Sequence, residues 1–359
     1  MEPRAWVATR KGLFEMRRRT HAWAIERVSF LGEPVSIVLP PQGAGRMYAA
    51  LNLGHFGVKL HASDDGGANW HELAAPAYPP QPEGEPAGGV DWKMVQIWAL
   101  EAAHGSVWAG TLPGGLFRSG DGGQSWQLIE SLWNDPRRAE WFGGGYPVPG
   151  IHSICPHPTH TDELLLGISC GGAWVSRDAG ASWLLQADGM HAAYMPPEQA
   201  ENPNTQDPHR IVRCPAEPDV LWCQHHNGIW RSTDNACSWH EITAAPLSSF
   251  GFAVAVHPQR ADTAWFVPGV ADQQRVPVDG ALVVNRTRDG GQTFETLRAG
   301  LPHENCYDLV YRHGLDVDAT GHRLMMGTTT GSLWASDDGG DRWATVAAHL
   351  PPIHAVRFG

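Results

Sequence analysis

The chain of 359 residues carries 19 histidines, two of them adjacent in Gln224-His225-His226-Asn227. Neutral imidazoles are common ligands for zinc, copper, nickel and non-haem iron, so histidines gathered on connecting segments form a candidate transition-metal set. His152, His209, His225 and His226 are the candidate ligands. No HExxH or similar local spacing links them, so only a fold that brings separate segments together could build the site. A glycosidase needs two carboxylates roughly 5 to 10 Å apart. Glu101, Glu140, Glu198, Asp207, Asp272, Asp279 and Glu304 are available, and nothing in the sequence selects two of them. Tyr194, His209, Arg210, His226, Glu304 and Tyr307 have the side-chain types for catalytic roles. Trp92, Lys93, Trp141, His191, Arg275 and Asn305 have those for holding a ligand, with flat rings for a sugar face and donors for its polar groups. Each also has a plainer reading: loop histidines cap turns or pack beside Trp, and loop carboxylates of an acidic protein are solvated.

The elements that must position these residues are announced by an eight-residue phrase repeated six times, most cleanly as Ser336-Asp-Asp-Gly-Gly-Asp-Arg-Trp343. Written Ser/Thr-x-Asp-x-Gly-x-x-Trp/Phe, it recurs at 63–70, 119–126, 176–183, 232–239 and 287–294, with an Ala in the Gly place of the 232–239 copy. The closing aromatics at 70, 126, 183, 239, 294 and 343 are spaced by 56, 57, 56, 55 and 49 residues, the signature of a repeat architecture. The hydroxyl and carboxylate can hydrogen-bond backbone amides while Gly supplies positive φ, so each phrase predicts a hairpin turn. Short apolar runs precede each turn, as in Leu164-Leu-Leu-Gly-Ile-Ser and Gly172-Ala-Trp-Val. Four short strands per repeat predict a propeller blade.

Six blades are expected near 35–76, 95–130, 151–187, 210–243, 251–298 and 307–347. Residues 4 to 28 supply three strands with Trp23 in the place of the closing aromatic, and Ile353-His-Ala-Val-Arg-Phe supplies a lone first strand. Joining them gives a seventh blade and a closed ring without free edges, so the whole of 1–359 is expected to be one all-β domain, a seven-bladed propeller of four-stranded antiparallel blades. The long connections at 77–94, 131–150, 188–209 and 269–280 emerge on the face away from the repeated turns. By strand order the candidate residues named above converge there, around the mouth of the channel. His225 and His226 cannot both point the same way if strand alternation continues through them.

The repeated phrase is similar to the Asp box of the bacterial-neuraminidase (BNR) repeat, and the chain resembles the Asp-box β-propellers of the sialidase-like and sortilin-like superfamily over nearly its whole length. The resemblance implies a propeller whose boxes lie opposite the binding face, and a glycosyl-hydrolase-like protein of unproven activity. A sialidase-type reaction would use three arginines on a carboxylate, a Tyr activated by a Glu, and a carboxylic acid as proton donor. Arg210, Arg275 and Arg137 or Arg138, with Tyr194, Tyr307, Glu304 and Asp207, are what this chain offers for that. It departs from the pattern in lacking an Arg-Ile-Pro motif near the N-terminus and in its seven expected blades where sialidases have six.

A net charge of −12 and a pI near 5.8, with basic residues scattered except at Arg17-Arg18-Arg19, argue against nucleic acid and anionic membranes as partners. No apolar leader or membrane-length run is present, so a cytoplasmic location is expected. The six cysteines have no CxxC spacing and read as small core residues. Three functional readings stand: a glycoside hydrolase or lyase acting on a saccharide at the loop face; a non-catalytic propeller binding a small ligand or a protein; and a metal-dependent hydrolase or lyase using a histidine-bound transition metal.

Overall fold

The computed structural model describes residues 2–20, 22–41, 45–82 and 91–359. It contains seven four-stranded antiparallel sheets arranged as a ring, a seven-bladed β-propeller. The first blade is Val35–Leu39, Met47–Asn52, Val58–Ser63 and His71–Leu73, and the second Gln96–Ala103, Ser106–Leu112, Leu116–Ser119 and Gln127–Leu128. The third is Ile151–Pro156, Leu164–Ile168, Gly172–Ser176 and Leu184–Leu185, and the fourth Pro208–Arg213, Leu221–His225, Gly228–Ser232 and His240–Glu241. The fifth is Gly251–Val256, Ala264–Pro268, Val284–Thr287 and Glu295–Leu297, and the sixth Leu315–Val317, Leu324–Gly327, Leu333–Ser336 and Ala344–Ala347. In the closing blade Ile353–Phe358 pairs with Arg4–Thr9, followed by Gly12–Arg19 and Ala22–Ser29, as the split repeat predicts.

The six phrases fold alike. In each, the Ser or Thr hydroxyl donates to the Asp carboxylate two residues on at 2.7–2.9 Å. The same oxygen accepts the amide four residues on at 2.8–2.9 Å, and the Asp carboxylate accepts the amide four beyond itself at 2.8–3.0 Å. The closing tryptophans reach back to the preceding blade: the Trp126 indole N–H donates to Ala74 O and that of Trp239 to Gln186 O, both at 3.0 Å. Trp70 and Trp183 do likewise through Ser29 Oγ and Ser131 Oγ, whereas the buried Trp343 indole N–H has no partner among the described residues and Phe294 has no N–H to offer.

The innermost strands share a second device. In five of the seven, the pairing slips at or next to the second residue, between Val35 and Ile37, Ile97 and Ala99, Ile151 and Ser153, Pro208 and Arg210, and Gly251 and Val254. In the closing blade the slip falls opposite His354, where Thr9 pairs with Ile353 and Ala8 with Ala355. Such a bulge re-aims the extra side chain. The bulged residue can then bridge blades: Ser36 Oγ donates to Ile97 O (2.9 Å), His354 Nδ1 meets Val35 O (2.9 Å) and His209 Nδ1 meets Gly251 O (2.6 Å).

The sixth blade departs from the expected layout. Its first strand begins at Leu315 rather than near 307. Residues 307–312 form no ladder; Leu309 and Val310 are buried, a turn closes from Gly314 N to Tyr311 O (2.7 Å), and only His313 bridges to Ala355. Arg17-Arg18-Arg19 ends the strand Gly12–Arg19, where Arg18 pairs with Asp337 at 2.8 Å. The cysteines are all free; five are buried and Cys237 is exposed. No helix among the described residues is long and apolar enough to cross a membrane.

Candidate active site at the channel mouth

The register of the fourth blade builds a three-residue cluster. Pro208 pairs with His225 and Arg210 with Gln224, which leaves His209 as the bulged residue. The chain turns at His226, whose amide donates to Asp207 O (3.0 Å), so Asp207 and His226 face each other across the end of the ladder. His209 Nε2 and His226 Nδ1 each lie 3.4 Å from Asp207 Oδ2, and the ligand atoms of the three all fall within 4.8 Å of one another. Asp207 is only 2% exposed and His209 2%. The other carboxylate oxygen, Oδ1, accepts the Cys170 amide at 3.1 Å.

Protonation follows from these partners. His209 Nδ1 faces a backbone carbonyl, which can only accept, so Nδ1 carries the proton and Nε2 presents its lone pair to the cavity. Burial lowers the pKa of His209 against the pull of Asp207, which keeps the ring neutral. Burial opposes the charge of Asp207, yet its carboxyl is held well below the usual range, by His209 when that ring is protonated, by the His226 contact and by the nearby Arg312; with His209 neutral the last two remain. A lone pair and a carboxylate facing each other at 3.4 Å is longer than an ordinary hydrogen bond. It matches the ligand-to-ligand edge of a tetrahedral zinc site, about 3.4 Å for bonds of about 2.0–2.1 Å. Two imidazoles and one ionised carboxylate would leave a position open on such an ion, as catalytic sites do.

The cluster lies in a cavity of about 190 Å³ that is also lined by Phe142, Gly143, Gly144, Gly145, Cys170, Tyr194, Phe252, Asp272, Arg275 and Arg312. The glycine run lets the loop after the second blade close over the carboxylate: a Cβ on Gly144 would stand 2.9 Å from Cys170 Sγ and 3.4 Å from Asp207 Oδ2. Tyr194 stacks edge-on to His226 with ring centroids 4.9 Å apart, and its hydroxyl donates to Thr205 O at 2.8 Å. Burial and the nearby Asp207 raise its pKa, so this phenol is a wall and not a ready nucleophile. Arg275 is tied to Asp272 through Nε at 3.1 Å.

Of the residues singled out from sequence, Tyr194, His209, His226 and Arg275 meet in this cavity. His225 does not join them. Its Nε2 accepts the Asp207 amide (3.0 Å), and burial pushes its pKa down to about 3, so it supports the cluster from behind. His152 lies on the neighbouring blade's bulge, edge-on to Trp98 at 5.4 Å, with Nδ1 3.0 Å from Ser153 Oγ; burial lowers its pKa, and it is outside the cluster. Arg210 donates to His152 O at 3.1 Å and does not line the cavity. His191, Glu304, Asn305 and Tyr307 are exposed and outside it, Tyr307 at 68%. Trp92 and Trp141 line a different loop-face cavity, of about 260 Å³, with Trp133 and with Arg138, whose guanidinium sits 3.9 Å from the Trp133 ring centroid. Lys93 is exposed and lines neither cavity.

Sequence reasoning left two central residues unselected. Asp207 stood among seven interchangeable carboxylates; its place two residues before His209, next to a strand, was the available signal. Arg312 was passed over inside a stretch expected to be strand.

No protein-family profile matches the sequence, and no curated protein matches it. Among solved structures the fold is similar to a GH74 xyloglucanase from Xanthomonas campestris, with a TM-score of 0.64 and 18% identity over 98% of this chain. The chain spans only 52% of the length of that enzyme. It is similar to YCF48 bound to D1 peptide, with a TM-score of 0.57 and 16% identity over 93% of this chain and 89% of the other. A putative 6-phosphogluconolactonase from Bacteroides fragilis matches with a TM-score of 0.58 and 11% identity over 100% and 98%. At these identities the likeness establishes a β-propeller and nothing finer.

Proposed function

We propose that the chain is a metal-dependent hydrolase or lyase whose ion is held at the channel mouth by Asp207, His209 and His226. The observation that carries the reading is the pair of 3.4 Å approaches to one carboxylate oxygen by two imidazole nitrogens, with His209 fixed by Gly251 in the tautomer that frees Nε2. An ion there would supply Lewis acidity and an activated water at neutral pH. The residues around it do the rest: Asp207 stays ionised, Gly144 leaves room above its carboxylate, and Phe142, Tyr194 and Phe252 limit water at the walls.

Two other readings receive less support. A glycosidase at this cavity would need one carboxyl as acid, but Asp207 is held ionised and Asp272 is paired with Arg275. A non-catalytic peptide- or assembly-type propeller is favoured by the similarity in length to YCF48. It gives no account of a buried carboxylate between two imidazoles.

Elemental analysis of protein purified without added metal, then supplemented with zinc, tests the proposal. About one equivalent in the wild type, lost in His209→Ala and His226→Ala variants that keep the native circular dichroism, is the expected result. No bound metal after supplementation would end this reading.

A further inference from the structure

Arg312 stands out among the residues around the cavity. It is 7% exposed and lies between the rings of Trp98 and Phe252, with its guanidinium carbon 4.9 and 5.3 Å from their centroids. Yet no hydrogen bond and no ion pair joins it to any described residue, and its Nε is buried without a partner. Arginine remains charged in a protein, and a buried donor such as the Arg312 Nε–H is costly to leave unmet. The two rings offer cation–π attraction, which answers the charge on the faces of the guanidinium but none of the in-plane donors. Those donors belong to a side chain that lines the cavity holding Asp207 and His209.

The charges in the cavity say what would meet them. Arg275 and Asp272 cancel each other. Asp207 is within electrostatic reach of Arg312 but makes no ion pair with it, and its oxygens are committed to the Cys170 amide and to the two imidazoles. A divalent ion on the cluster would raise the local charge to about +2, counting one negative carboxylate and one positive guanidinium. A planar fork of donors facing a small cavity, one that the ion would make positively charged, is the recognition element for a carboxylate or phosphate group.

We infer that the substrate is a small molecule carrying an oxyanion, carboxylate or phosphate, that docks on Arg312 beside the Asp207–His209–His226 cluster. This rests on the reading of the cavity as the working site and adds the chemical class that the site accepts. The cavity of about 190 Å³ limits the ligand to metabolite size.

The test is a titration of the full chain with inorganic phosphate and with malonate at constant ionic strength, followed by calorimetry and thermal shift. Glycerol serves as the neutral control, and both chelated and zinc-supplemented protein are used. Wild type is expected to bind at least one of the two anions and not glycerol, and Arg312→Met to bind it roughly tenfold to a hundredfold more weakly, the worth of charge-assisted hydrogen bonds. Arg312→Lys, which keeps the charge but not the fork, should fall between them. Arg312→Met should still fold, because the guanidinium makes no hydrogen bond or ion pair with a described residue and Met can pack against the Trp98 and Phe252 rings in its place; thermal unfolding without ligand checks this. Unchanged anion binding in Arg312→Met, or no anion binding by wild type in either form, overturns the inference. Elemental analysis of the same samples separates it from the metal proposal. Arg312-dependent binding in protein that never takes up metal sustains the inference alone, whereas a metal lost in His209→Ala with anion binding indifferent to Arg312 defeats only the inference.

Discussion

The two faces of the propeller are built by opposite rules. On one, a single solution is repeated six times: a hydroxyl, a carboxylate and two residues at positive φ, with hydrogen bonds that differ by no more than 0.2 Å between copies. On the other, one backbone device, the bulge in the innermost strand pair of six blades, carries different side chains to different ends. Ser36 and His354 use it only to bond the next blade, Trp98 uses it to flank Arg312, and His152 is shut into a dry contact. His209 alone bonds the next blade with one nitrogen and offers the other to a carboxylate and a cavity. Repetition marks what six of the seven blades share in building the ring. Departure from it at a shared position marks where the molecule does something once.

That contrast is most sharply broken by Asp207→Asn. The amide keeps an oxygen for the Cys170 N–H but loses the charge between the imidazoles. Metal affinity, measured by competition with a chromogenic chelator, should fall by more than about a hundredfold, while the metal-free protein keeps its native circular dichroism and loses in melting temperature only what the ionised carboxylate contributed. A large loss of fold with unchanged metal uptake would mean that the loop face is built for stability after all.

The turn face should respond to acid. Hydrogen bonds from Asn69 and Ser63 hold the Asp65 carboxyl down at about 2, those from Thr293 and Thr287 hold Asp289 at about 2, and Asp121, Asp178 and Asp234 are lowered as well. A carboxyl with a folded pKa below its unfolded value adds stability that is complete above the unfolded value, near pH 4, and disappears as pH falls through about 2. Buried histidines with lowered pKa values, His225 at about 3 among them, already draw urea midpoints down as pH falls below about 6.5, and the turn carboxylates should add a further fall between about 4 and 2. Replacing one of these Asp by Asn should flatten that slope; an unchanged slope would remove the turns as its source.

Most of the fold could be read from the sequence because the turn chemistry is local. Hydroxyl, carboxylate and Gly stand within five residues, so six phrases gave six hairpins, and the split first repeat gave the ring closure. The first strand of the sixth blade was missed because Leu309 and Val310 satisfy a strand pattern while being buried by the bend at Tyr311–Gly314. The site was readable only in part. Strand order brings His209, His226, Tyr194 and Arg275 to one face, but a bulge shifts the alternation by one residue, so no periodic rule tells which of His209 and Arg210 enters the cavity. Arg312 is recognisable only by what it fails to touch, and that is a property of the packed chain.

Within the turn face, graded losses are expected. Ser336 is 1% exposed, and its hydroxyl bonds both Asp338 and the Gly340 amide at 2.8 Å. Ser336→Ala should cost about 1–2 kcal/mol in denaturant unfolding, because it leaves a buried amide unmet, and should leave metal and anion binding untouched. The smallest effect runs the other way. Ala179 holds φ 56° where four of the other five turns have Gly66, Gly122, Gly290 and Gly339 and the remaining one has Asn235. An L side chain there costs about 1 kcal/mol or more, part of which Gly returns through its freer unfolded chain, so Ala179→Gly should raise stability by about 0.5 kcal/mol. Ala236, in the next turn, has φ 66° but is fully buried, so the methyl lost in Ala236→Gly offsets the relief of its backbone. A gain in the first variant without one in the second would show that relief of backbone strain raises stability only where the lost methyl is not buried.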